Sequence, residues 1–123
     1  MTLIRAEKGR KLIRDITITD ANSNTVTAGT NDVVRIKIGR RGQTPILDLD
    51  SAAASTNGST VTKNSPSSGK NRVAIVEADM NLLDPGVYTL EVALYDNADS
   101  ALKHVDHQIF HVAETMLGDV GSS

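Results

Sequence analysis

The chain contains no cysteine and no tryptophan. Without thiols it can build neither a disulfide framework nor a thiolate zinc site, so its core must be held by packing alone. Aromatic residues are nearly absent as well, with Phe110, Tyr88 and Tyr95 the whole complement. So few rings cannot interleave with basic residues as a stacking platform, which makes nucleic acid a weak partner and sugar stacking a poor one. No segment approaches the apolar length of a membrane span. The start, Met1-Thr2-Leu3-Ile4-Arg5-Ala6-Glu7, lacks the apolar centre of a signal peptide. We therefore expect no membrane partner and a chain soluble where it is made. Catalytic signatures are missing too: no Gly-x-Ser-x-Gly elbow, no phosphate loop, and no histidine beside a plausible nucleophile in a turn. The expectation is a protein without enzymatic activity, small-molecule substrate or cofactor.

What the chain does have is alternation. At 123 residues it suits one domain. In Asp84-Pro85-Gly86 the proline fixes φ and the glycine accepts a positive φ, so the chain turns sharply there. Tyr88, Leu90, Val92 and Leu94 then share one strand face, opposite Thr89, Glu91 and Tyr95. Earlier, Leu12–Thr19 reads as a first strand with Leu12, Ile16 and Ile18 inward, closed by the turn-forming run Asp20–Asn24. A short strand at Thr25–Ala28 follows, then Val33–Ile38 with Val34, Ile36 and Ile38 inward. Gly39-Arg40-Arg41-Gly42 turns, and Pro45–Ser51 gives another strand with Leu47 and Leu49 inward.

Residues 51–71 are rich in Ser, Thr, Asn, Gly and Ala and can bury little, so they read as an exposed loop around a strand at Thr60–Thr62. Arg72–Glu77 returns to a buried strand, and Ala78–Leu83 reads as one helical turn. A last strand spans about Leu102–Val112, containing Phe110 and Val112, with Phe110 expected in the core. About seven short strands separated by turns, with one helical turn, predict an all-β, immunoglobulin-like antiparallel β-sandwich. Tyr88 lies where such folds often place a corner tyrosine, its hydroxyl free to tie back to nearby backbone; plain core packing of the ring is the alternative.

The net charge of −2 is unevenly distributed. Residues 1–14 carry Arg5, Lys8, Arg10, Lys11 and Arg14 against Glu7, a net of +4; residues 77–119 carry nine acids against Lys103, a net of −8. This divides the chain into a basic N-terminal arm at 1–14, a sandwich at 15–112 and a C-terminal tail at 113–123. The arm is suited to reach an acidic surface on a neighbour, either another copy or a larger protein. Arg40 and Arg41 can present two guanidiniums at a hairpin tip, and Met116 and Leu117 can anchor the tail. These nine residues are the candidate interface.

The other candidates are weaker. His107 and His111 fall on one side of a strand roughly 13 Å apart at ~3.3 Å per residue, and His104 points the other way, so one ion cannot take all three. Asp48 and Asp50, and the loop Asp96, Asn97 and Asp99, lack the spaced ligands and closing glutamate of a calcium loop, which leaves turn chemistry as their explanation. No metal site is expected.

The segment Leu3-Ile4-Arg5, the strand Asp15–Asp20 running into a polar turn, the helical turn before Leu82-Leu83-Asp84-Pro85-Gly86-Val87-Tyr88 and the closing Ile109-Phe110-His111-Val112 together resemble the immunoglobulin-like modules of tailed-bacteriophage structural proteins, in particular the N-terminal domain of phage baseplate upper proteins. The resemblance covers most of residues 3–112 and specifies fold better than function. It implies a non-enzymatic virion component, made in the host cytoplasm, docked on tail, baseplate or capsid in symmetric copies beside other virion proteins. The alternative is an immunoglobulin-like binding module that recognises a cell-surface carbohydrate or protein through loops such as 51–71.

Overall fold

Wherever the sequence alternates, the chain extends. Along β5 (Asp32–Gly39), Val34, Ile36 and Ile38 are fully buried while Val33, Arg35 and Lys37 stay half-exposed. β9 (Gly86–Asp96) buries Tyr88, Leu90, Val92 and Leu94, and β10 (Ala101–Ala113) buries Phe110 and Val112. The structure, a computed structural model, describes residues 3–96 and 101–114. Its other elements are β1 (Leu3–Glu7), β2 (Leu12–Ile16), β3 (Ile18–Thr19), β4 (Thr25–Val26), β6 (Leu47–Asp50), β7 (Thr60–Thr62), β8 (Asn71–Ile75) and a one-turn helix, α1 (Glu77–Met80).

These strands form a five-stranded sheet in the order β1-β10-β9-β5-β6 and a three-stranded sheet in the order β2-β8-β7, with β3 and β4 as a small separate pair. The two larger sheets reproduce the order of an immunoglobulin-like sandwich: its strands C, F and G are β5, β9 and β10, extended by β6, and its strands B, E and D are β2, β8 and β7. The inward residues of both sheets meet in one core that runs from Ile4 through Ile16, Ile36, Val73 and Leu90 to Phe110. Tyr88 is the corner tyrosine, 3% exposed, and its hydroxyl donates to the Asp84 carbonyl at 2.6 Å. In antibody domains the residue two positions beyond that tyrosine is half of an inter-sheet disulfide. Here it is Leu90, 1% exposed, so apolar contact stands where a covalent bond would.

The expected first strand, Leu12–Thr19, is cut in two. Ile16 and Ile18 are both buried, but β2 pairs with β8 whereas β3 pairs with β4, so the chain changes partner at Thr17. The helical turn starts one residue earlier than the sequence pattern suggested, and the last strand is one residue longer at each end. A tail helix near Thr115-Met116-Leu117 falls outside the described residues.

Residues 1–14 do not stand apart as an arm. β1 lies parallel to β10, Leu3 beside Ile109 and Glu7 beside Ala113, with Ile4 and Ala6 buried in the core. β2 then enters the opposite sheet. The reason is that alternation persists beneath the charge: in Leu3-Ile4-Arg5-Ala6-Glu7 every second residue is apolar and faces inward. Deleting residues 1–10 should therefore destabilise the domain, by roughly 2–4 kcal/mol from the lost burial of Ile4 and Ala6 alone. A urea melt tests this, and an unchanged midpoint would restore the segment to a free arm.

The polar stretch 51–71 is also more ordered than its composition implied. Ser59, Gly69 and Asn71 are buried. The buried Asp79 carboxylate accepts hydrogen bonds from Ser55 Oγ at 2.8 Å, Asn57 Nδ2 at 2.8 Å and Ser59 Oγ, and Ser59 Oγ in turn accepts the Val76 N–H at 3.0 Å. Farther on, Asn64 Nδ2 donates to the Ala28 carbonyl at 2.8 Å, and Lys63 Nζ donates to the carbonyls of Gly29, Thr30 and Asp32 at 2.7–2.9 Å. Gly69 sits at φ +82°, where a Cβ would come within 2.6 Å of Thr25 Cγ2, so only glycine fits. Burial here is secured by hydrogen bonds rather than by apolar area, which a hydrophobicity pattern does not register.

Candidate docking surface

The candidate basic residues divide into those the fold pairs internally and those it leaves outward. Lys8 Nζ lies 3.5 Å from Asp84 Oδ1 and donates to the Asn81 and Leu83 carbonyls, both at 3.2 Å. Arg10 pairs with Glu7 at 3.1 Å. Arg14 Nη2 donates to the Arg5 carbonyl at 3.4 Å and so spans the gap between β2 and β1, the edge strands of the two sheets. Arg40 stacks over the Tyr88 ring, 4.6 Å from its centroid, and donates to its hydroxyl at 3.4 Å. Arg5, Lys11 and Arg41 are exposed. Met116 and Leu117 lie outside the described residues.

Lys8 and Arg40 converge on one turn, since Lys8 faces the Asp84 carboxylate and Arg40 covers the tyrosine anchored on the Asp84 carbonyl. Two clusters far apart in sequence thus flank Asp84-Pro85-Gly86. Of their charges, that of Lys8 is answered by the Asp84 carboxylate, while Arg40 is held by the ring and hydroxyl of Tyr88. Lys103 is likewise paired, its Nζ reaching both carboxylate oxygens of Asp32 at 3.1 and 3.2 Å from a register shift between Leu102 and His104.

Three carboxylates, Asp32, Asp15 and Asp79, have lowered pKa values. The Gly29 N–H at 2.8 Å and then Lys103 lower the Asp32 pKa against its burial. The Arg72 guanidinium at 2.9 Å lowers that of Asp15. For Asp79 burial pushes upward, but the hydrogen bonds from Ser59, Asn57 and Ser55 together outweigh it and leave the pKa lowered. Asp48 pairs with Arg35 at 3.0 Å, and Asp50 Oδ1 accepts the N–H groups of Ala52 and Ala53. These carboxylates do structural work, and among the described residues no three His, Asp or Glu side chains gather as metal ligands.

The feature that sequence reasoning missed is the solvent-facing side of the five-stranded sheet. Five of the large exposed hydrophobics lie on three of its strands: Leu3 on β1, Val87 on β9, and Leu102, Val105 and Ile109 on β10. The register sets Leu3 beside Ile109 and Leu102 beside Tyr95. Val105 lies beside Ala93, which is only 3% exposed although it occupies an outward position. A charged row crosses the middle of the same face, with His107 Nε2 3.2 Å from Glu91 Oε1. The outward side of the other sheet, carrying Asp15, Arg72, Thr60 and Thr62 beside Ile13, is mostly polar. An antiparallel sandwich needs only one apolar face per sheet, so large apolar side chains set among Arg5, Arg35, Lys37, Asp48, Glu91 and His107 on the outward side suit contact with another surface. The signal was present in β10, where Val105 and Ile109 have the opposite parity to the core residues Phe110 and Val112.

No family model matches the chain, and it has no match among curated proteins. Among solved structures it is similar to that of the NK cell receptor Nkp44, a triggering partner in natural cytotoxicity, with 11% identity and a TM-score of 0.47 over 91% of this chain and 97% of that chain.

Proposed function

We propose that this chain is a non-enzymatic docking module that takes its place, in several copies, within a larger protein assembly, and that the assembly is a tailed-phage virion. The outward face of the five-stranded sheet carries the reading: Leu3, Val87, Leu102, Val105 and Ile109 are 38–61% exposed there among charged side chains, on a surface that no element of the chain covers among the described residues. Such a stripe suits a protein partner, because apolar side chains of this size gain by leaving water and offer nothing to a polar substrate. The virion assignment draws on the resemblance of residues 3–112 to phage structural modules. Recognition of a host surface through residues 51–71 has less support, since Ser55, Asn57, Ser59, Lys63 and Asn64 are engaged in holding Asp79, Ala28 and the 29–32 turn.

Phage particles assembled with a Val87→Glu/Val105→Glu chain test the reading. Both positions are exposed, so the variant should melt like the wild type yet be missing from purified virions. Incorporation at the wild-type level would remove this face as the docking surface.

A further inference from the structure

We propose that the outward face of the five-stranded sheet pairs with the same face of a second copy, about a two-fold axis lying in the interface and running along the strands between β9 and β5. The proposal rests on the docking reading above and names its partner. Its basis is the order of side chains in rows across the sheet. One row crosses four strands as His107, Glu91, Lys37 and Asp48, each in register with the next. A two-fold axis along the strands lays this row on its own reverse. Glu91 then faces the second copy's Lys37, and His107 faces the second copy's Asp48, so acidic groups meet basic or ionisable ones throughout.

The same reversal fixes the flanking rows. Ile109 and Thr89 are in register, Thr89 pairs with Gly39, and Ile46 flanks Gly39 through its N–H to the Ile38 carbonyl at 2.8 Å. Reversal sets Ile109, 38% exposed, on the second copy's Ile46, 40% exposed. On the other side of the charged row, Tyr95 is in register with Val33 and would meet the second copy's Val33. Between them, Ala93 faces the second copy's Arg35, a small residue opposite a long one, and Val105 faces the second copy's Asp50 at the margin of the pairing.

The charge order selects both the axis and the occupant. An axis across the strands at the level of this row would lay each strand on itself and set Glu91 against Glu91 and Lys37 against Lys37, which like-charge repulsion opposes. A strongly acidic or basic partner would likewise meet both signs interleaved on this face. Only a surface with the reversed order answers it, and the chain itself carries that order.

Sedimentation velocity on the purified full chain, over a concentration series at low and high salt, tests the proposal. The wild type should dimerise. Glu91→Lys and Lys37→Glu each place two like-charge pairs across the axis and should weaken self-association by at least about tenfold. Mixed in equal amounts, the two variants should recover a dimer containing one of each, because every facing pair is then opposite in sign. Circular dichroism melts confirm that both variants fold. A wild type that stays monomeric throughout, single variants that dimerise as well as the wild type, or a mixture that fails to recover the heterodimer would each overturn the proposal. A monomeric wild type whose Val87→Glu/Val105→Glu variant is still excluded from particles would overturn this pairing and leave the docking reading intact.

Discussion

Leu90→Ala is expected to lower stability by about 2–5 kcal/mol, a large share of the 5–15 kcal/mol that domains commonly have. Leu90 is 1% exposed, on a central strand of the five-stranded sheet, at the position where related folds place one half of their inter-sheet disulfide. With no cysteine in the chain, the two sheets are joined by apolar contact alone, and a cavity at this point removes contacts from both. Urea denaturation should show a lower midpoint with an unchanged slope, since the surface exposed on unfolding stays nearly the same. A midpoint within error of wild type would mean that Leu90 does not face the core.

Asp79→Ala should be the next most damaging change, at roughly 1–3 kcal/mol, because it leaves Ser55, Asn57 and Ser59 without the acceptor they share. The effect would reach the whole 55–59 segment, which no apolar side chain anchors. Asp79 also gives a pH signature. Its folded pKa is lowered, so its contribution is complete above the unfolded carboxylate value of about 3.9 and is lost as pH falls through the folded value. Wild-type stability should therefore fall in strong acid, and part of that fall should be missing in Asp79→Asn, which keeps a hydrogen-bonding side chain without the titration. Parallel acid melts of the two proteins measure the difference. Identical acid profiles would show that Asp79 does not contribute to acid sensitivity.

Much of the sandwich was legible because period-two alternation records burial directly. Val34, Ile36 and Ile38, the alternate residues from Tyr88 to Leu94, and Phe110 all lie inside as expected. The Asp84-Pro85-Gly86 turn announced the corner that Tyr88 closes, because proline and glycine encode backbone angles locally. The break at Thr17 was not legible: Ile16 and Ile18 have the same parity, and alternation does not say which neighbour a strand takes. Asp79 escaped notice for a related reason. Its three donors lie 20–24 residues away in a stretch that looks like solvent-exposed linker.

The sequence by itself determined the all-β class, much of the inward set of the long strands and the reliance on packing without disulfides, since each follows from local spacing or from composition; whether Tyr88 closes a corner or only packs was left to the fold. Only the tertiary structure decided what the charges and the outward residues mean. The parallel pairing of β1 with β10 unites the basic first turn with the acidic second half, converting an apparent arm into an edge strand and placing Lys8 on Asp84. Strand register, likewise, gathers Leu3, Val87, Val105 and Ile109 on one face and orders His107, Glu91, Lys37 and Asp48 in one row. Both depend on contacts between residues distant along the chain, and a linear sequence carries no record of which distant strand lies alongside or in what register.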